Sequence, residues 1–199
     1  MNGPLVAPDP EGAAVFLILA MSLAGVAHVL WLRSGVAALF SQPVDLGLRL
    51  RGRRLFGDNK RLCGFMVLPV AAAASFALLG LLRDALPAGL AQGMWSLRPG
   101  QYAGLGFVAG LAFMLAELPN SFVKRQLDIA PGSQPRNPWF RAAFTCVDRL
   151  DSLLGMLLAV SLLVPLPGLT WLWMLVVAPL VHSLFSALLY VSGVKSRAL

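Results

Sequence analysis

The sequence predicts an all-α, polytopic membrane protein: a bundle of about five transmembrane helices with its N-terminus outside and its C-terminus in the cytoplasm. Three observations carry this reading. Of the 199 residues, 58% are hydrophobic and 13% are charged, whereas a soluble domain is about 45–50% apolar and about 25% charged. The apolar residues gather into five stretches near the length that crosses a bilayer core, about 20 residues. Lys and Arg, finally, fall almost entirely into alternate connecting segments.

The stretches run in order. Residues 1–12 form a polar, Pro-rich extracytoplasmic tail without Lys or Arg, unlike the basic start of a secretory signal. Residues 13–199 form a single transmembrane domain. Its expected spans are 13–32, 62–82, a short one over 102–118, another short one over 150–166, and 171–191 after a Pro165-Leu166-Pro167-Gly168 turn. Helices are required because backbone amides in lipid need partners within their own segment. Trp171 and Trp173 at the start of the last span suit an interfacial position. Cys63 and Cys146 form no motif, and apolar packing is their expected role.

Charge sets the orientation. Loop 33–61 holds seven Lys and Arg, loop 119–149 five and the C-terminal tail two, while the opposite side has only Arg83 and Arg98. The positive-inside bias therefore places both large loops and the C-terminus in the cytoplasm of a multi-pass cell-membrane (inner-membrane) protein, facing cytosolic anions. Because the positive charge is divided among membrane loops, nucleic acid is not an expected partner. The lipid bilayer is.

Charged groups beside membrane spans are costly, roughly 2.5–3.5 kcal/mol each at the bilayer centre, so their clusters are candidate sites. If helix continues through Pro119, then Glu117, Ser121 and Arg125 recur at i, i+4 and i+8, with Lys124 on the same face. Lys and Arg side by side suit phosphate. They equally suit a snorkelling anchor, and the segment alone does not separate the two. Asp148 and Asp151 lie at i and i+3, with Ser152 and Gly155 extending their face. Two carboxylates with open positions match the way Mg²⁺ is held beside phosphates; helix capping or neutralisation by Arg149 is the alternative. In loop 33–61, Arg53, Arg54, Lys60 and Arg61 flank a Gly57-Asp58-Asn59 turn, which reads as an anion-binding loop or as a basic topological signal. His182, inside the last span, is a candidate by position alone, with helix contact its favoured role. His28 draws no functional expectation. There is no HExxH, phosphate-loop, GxSxG or zinc spacing.

Pro43-Val44-Asp45, then Gly-Arg-Arg-Leu-Phe-Gly-Asp-Asn-Lys over 52–60, Ser-Phe-Val-Lys-Arg over 121–125, Val-Asp-Arg-Leu-Asp-Ser-Leu-Leu-Gly over 147–155 and Pro-Leu-Val-His over 179–182 occur in this order. The ordered set resembles the CDP-archaeol synthase family, a small branch related to the CDP-diacylglycerol synthases. The resemblance implies Mg²⁺-dependent attack of a membrane lipid phosphate on the α-phosphate of CTP, giving a CDP-lipid and pyrophosphate. It implies nucleotide-phosphate contact by Ser121, Lys124 and Arg125, metal binding by Asp148 and Asp151, and a substrate-pocket role for Gly57, Asp58 and Lys60. Arg53 and Arg54 join the expected phosphate-binding set, and Lys124, Asp148 and Asp151 the catalytic one. The chain departs from the family pattern in three places, one being Arg149, which stands where Gln is common and matches the CDP-diacylglycerol synthase form. Ala116-Glu117 stands where Gly-Asp is usual, with Glu117 an expected third metal ligand, and Arg61-Leu62-Cys63-Gly64 replaces Thr-Trp-Arg-Gly. These departures motivate a second reading, a non-catalytic lipid-binding or scaffold protein of the same fold. A transporter ranks third for want of inverted repeats, and a homodimer is left open.

Overall fold

A computed structural model describes residues 5–191. The Lys195 and Arg197 tail and the side chain of His182 lie outside the described residues.

Six helices account for nearly all regular structure: α1 (Pro10–Leu32), α2 (Leu62–Leu81), the short α3 (Ala88–Gln92), α4 (Pro99–Gln126), α5 (Pro138–Leu163) and α6 (Gly168–Val191). The protein is an all-α membrane protein, as its composition predicts. By length and apolar character, α1, α2 and α4 qualify outright as membrane-crossing helices among the described residues. The outside of the bundle carries large aliphatic side chains, with Leu30, Val70, Leu162 and Leu180 each more than half exposed.

The helix boundaries follow local chemistry. α1 starts at Pro10, earlier than the expected residue 13, because Asp9 caps it by accepting from the Gly12 N–H at 2.8 Å and Pro10 suits a first helical position. α4 runs unbroken through Pro119 for 28 residues, so the expected span 102–118 is only its middle part. α5 begins 12 residues before the expected Leu150. There Asn137 caps the helix by accepting from the Trp139 N–H at 2.9 Å, and Pro138 follows it. Most of the presumed loop 119–149 is therefore helix, and two helices rise from the membrane toward the charged side. A small antiparallel hairpin, β1 (Arg49–Leu50) with β2 (Arg53–Arg54), interrupts the first loop.

The core gathers at the end of the bundle opposite these loops. Phe16 lies 5.2 Å from Phe76, 5.6 Å from Tyr102 and 6.0 Å from Trp95 between ring centroids, and all four rings are buried. Their polar atoms are satisfied there: Tyr102 donates its hydroxyl to the Trp95 carbonyl at 2.6 Å, and Trp95 its indole N–H to the Pro165 carbonyl at 2.9 Å. Thr170 donates to the Pro10 carbonyl at 3.0 Å, and the Asp9 N–H to the Gln92 carbonyl at 3.1 Å. The α3 turn packs directly on α1, backbone to backbone, at Gly93 and Gly12. Nearer the charged side, α5 closes on α4 at Gly155. A Cβ there would overlap that of Ala116 and lie 3.0 Å from the Ala112 carbonyl. This close approach brings the acidic face of α5 against the polar face of α4.

Candidate active site

The first loop is folded around Asp45. Its side chain is fully buried and accepts from Arg54 at 2.5 and 3.3 Å and from the N–H groups of Phe56, Gly57 and Gly47 at 2.9, 3.1 and 3.2 Å. Burial pushes this carboxyl up, but the Arg54 guanidinium and the three amides outweigh it and hold the group well below the usual carboxylate range. Arg54 also bonds Asp58 at 2.8 Å; these two carboxylates raise its already high pKa. Arg53 pairs with Asp128 and donates to the Gln126 carbonyl at 2.5 Å, tying β2 to the end of α4. Arg53, Arg54 and Asp58 thus spend their charges on holding the loop, and none of them lines the polar cavity beneath it. Sequence reasoning missed the role of Asp45. A lone Asp after Pro-Val carries no signal of the four partners it gathers.

Lys60 does reach the cavity, which has a volume of about 730 Å³ and is walled by the Asn59–Lys60 turn, α4, residues 131–134 and α5. Because α4 persists through Pro119, Glu117, Ser121, Lys124 and Arg125 share one face and all line it. Asp148, Asp151 and Ser152 line it from α5. A continuous polar network links the two helices. Lys60 pairs with Glu117. Ser152 donates to Glu117 at 2.9 Å and lies 3.3 Å from Asp151. The amide of Asn120 donates to Asp151 at 3.0 Å and to Asp148 at 2.6 Å. Lys124 pairs with Asp148 and stands 5.5 Å over the Phe144 ring. Asn120 was also missed from sequence, though its spacing from Glu117 and Lys124 places it on their face.

Arg125 is the exception in this network. It is 8% exposed, yet its Nε and one terminal nitrogen have no hydrogen-bond partner. A buried, unpaired guanidinium is expensive, and Arg125 stands in the cavity wall, where an anion would offset that cost. Ser121, one turn earlier, is equally buried.

The donor set suits a hard cation. Asp148 and Asp151 converge on a single amide group, which leaves two carboxylates close together with nucleotide-sized space before them. Among the described residues, no third acidic, His or Cys ligand completes a metal cluster. Glu117, the expected third ligand, is paired with Lys60 and shares the Ser152 hydroxyl with Asp151. Oxygen-only coordination by two carboxylates, completed by phosphates and water, is a fit for Mg²⁺.

A second, apolar groove of about 380 Å³ opens between α1, α2, α4, α5 and α6. It shares Phe113, Glu117, Leu153 and Ala178 with the polar cavity, so a molecule with a charged head and an apolar body can occupy both.

A polar cavity that meets an apolar groove inside a membrane bundle suits a membrane-embedded nucleotidyltransferase. Comparison gives the family. A family model described as CarS-like: CDP-archaeol synthase matches residues 14–198, and the chain belongs to that family. The CDP-archaeol synthase of Halobacterium salinarum is 31% identical over 197 residues, covering 95% of this chain and 98% of that protein. That of Methanoculleus marisnigri is 31% identical over 175 residues, covering 81% and 93%. The solved structure of an intramembrane enzyme for archaeal membrane lipid biosynthesis superposes with a TM-score of 0.59 at 25% identity, covering 87% of this chain and 91% of that one.

Proposed function

We propose that this protein transfers the CMP group of CTP to a lipid phosphate, releasing pyrophosphate and leaving a CDP-lipid for phospholipid synthesis. The observation that supports this most is Arg125, a buried cation whose Nε and one terminal nitrogen have no partner, in the wall of a cavity where Lys60 and Lys124 are paired with carboxylates. A triphosphate supplies the missing anion.

In this reading Arg125 and Lys124 hold the phosphates of CTP, with the Ser121 hydroxyl on the same face. Bidentate guanidinium contact sets their orientation, and the Lys124 ammonium adds charge. Lys60 brings positive charge from the loop to the side of the cavity next to the groove, where the lipid phosphate arrives. An oxygen of that phosphate bonds to the α-phosphorus of CTP while the bond to the bridging oxygen breaks, and pyrophosphate takes the electron pair. The phosphate is already anionic at neutral pH, so no general base is needed. Asp148 and Asp151 would hold Mg²⁺, which neutralises charge on the triphosphate and leaving group. Asn120 keeps the two carboxylates aimed at one point. The positive-inside bias puts the cavity on the cytosolic side, where CTP is found.

The test is reconstitution. Purified protein in liposomes receives labelled CTP, Mg²⁺ and a panel of ester- and ether-linked lipid phosphates, and products are identified by mass spectrometry. A magnesium-dependent CDP-lipid is expected; label remaining in CTP with every lipid would overturn the assignment and favour a scaffold role.

A further inference from the structure

His28 sits on α1, four residues before its end at Leu32, or about 6 Å inside the bundle along the helix axis. It lines the apolar groove, as does Glu117. Its Nε2 is buried without a hydrogen-bond partner. The ring packs against the first turn of α2, where a Cβ on Gly64 would lie 3.8 Å from Cε1 and 3.9 Å from Nε2. One turn earlier on the same face, a Cβ on Gly25 would meet nothing within 4 Å, so the groove is open beside the imidazole. Glu117, the nearest acidic candidate, is taken by Lys60 and Ser152.

A buried polar atom with no partner costs free energy, and an apolar wall gives it none. The ligand of the groove is then the natural partner. Accepting the lipid-phosphate reading above, the geometry assigns a role by depth. The phosphate belongs with Lys60 in the polar cavity, and the hydrocarbon chains belong in the groove. Between them in such a lipid lie the oxygens that link glycerol to its chains. We propose that His28 binds the lipid acceptor at this level, its ring turning from α2 toward the groove so that Nε2 hydrogen-bonds a glycerol-linkage oxygen as the phosphate enters the cavity. His28 would then set how far the lipid slides toward the nucleotide and would favour glycerol lipids over simple alkyl phosphates.

The experiment compares wild type, His28→Leu and His28→Gln with two probes, a dialkylglycerol phosphate and hexadecyl phosphate, which has no glycerol. Retention of each probe is measured by native mass spectrometry without CTP, and KM and kcat are measured with CTP. His28→Leu should weaken retention of the glycerol lipid and raise its KM by about tenfold, equivalent to about 1.4 kcal/mol. The KM for CTP and the retention of hexadecyl phosphate should stay unchanged, and His28→Gln should recover most of the loss. Unchanged retention in His28→Leu, or equal loss with both probes, would overturn the role of His28. Wild-type retention without turnover would count against the transferase reading alone, because the binding comparison remains decisive.

Discussion

Lys60 and Glu117 form an ion pair that fastens the first charged loop to the middle of α4. The pair sits where the polar cavity meets the apolar groove, and neither partner is more than a quarter exposed. Removing one member leaves the other partly buried and unpaired, whereas removing both does not. Lys60→Met and Glu117→Gln should each lower stability, and the double variant should lose less than the sum. A coupling of about 1–3 kcal/mol is expected, measured as a double-mutant cycle of unfolding in mixed micelles. Strict additivity would mean that the contact does not hold the loop.

Asp148→Asn and Asp151→Asn keep the size and hydrogen bonding of the acidic pair while removing its charge. Turnover of CTP should fall on the order of 10²- to 10³-fold for each. Melting temperature should change little for Asp151→Asn, since Asn120 can still bond the amide oxygen, whereas Asp148→Asn also deprives Lys124 of its partner and should lower it. Substantial turnover at saturating Mg²⁺ would remove this pair from the metal site. A loss of activity in Asp151→Asn that tracks a loss of stability would make the pair structural.

Arg125→Met removes a buried charge that has no partner. The ligand-free protein should become more stable, by about 1 kcal/mol, and CTP should no longer raise its melting temperature as it does that of the wild type. The same variant should raise the KM for CTP. A destabilised Arg125→Met with unaltered CTP response would show that the guanidinium serves packing only.

Asp45 gives a pH dependence with a definite sign. Its folded carboxyl is held below the ordinary value, so its contribution is fully present above about pH 4, the unfolded aspartate range. It is lost only as pH falls through the lower folded value. Asp45→Asn should therefore cost about 2–3 kcal/mol at neutral pH, because it removes the buried counter-charge of Arg54 and puts an NH2 group where one oxygen accepted from the loop. It should also remove part of the acid sensitivity of the loop, read by limited proteolysis between residues 46 and 61. An unchanged cleavage pattern would assign the order of the loop to other contacts.

The arrangement of the loops about the membrane can be checked by labelling. Ser133→Cys borders the polar cavity and Ala88→Cys lies in α3 at the opposite end. A membrane-impermeant maleimide added to whole cells should label Ala88→Cys and leave Ser133→Cys unmodified. The reverse pattern would put the cavity outside, away from cytosolic CTP.

Much of this site was legible from spacing. Once α4 passes through Pro119, helical periodicity alone brings Glu117, Ser121, Lys124 and Arg125 together, and the same periodicity groups Asp148, Asp151 and Ser152. Hydropathy misplaced the start of α5, because Arg141, Asp148, Arg149 and Asp151 break the apolar run although the Asn137-Pro138 cap begins the helix well before it. The arginines of the first loop were not separable by type. Lys60 faces the cavity while Arg53 and Arg54 face carboxylates, and that difference is made by Asp45 and Asp128, whose contacts lie up to 75 residues apart. Asn120 escaped notice because a neutral amide carries no charge signature, although it is the group that joins both aspartates.

The far end of the bundle bears on where the product goes. Trp95, Tyr102, Phe16 and Phe76 plug it, and the Thr170–Pro10 and Trp95–Pro165 bonds stitch its rim. Among the described residues, the polar cavity lies on the side of the charged loops and meets the apolar groove at Phe113, Glu117, Leu153 and Ala178, away from this packed end. In the proposed reaction, nucleotide and pyrophosphate would share the loop side of the cavity, and the lipid would come and go along the apolar groove. Its new headgroup would then stay in the leaflet from which the lipid came, leaving any later crossing of the bilayer to another catalyst.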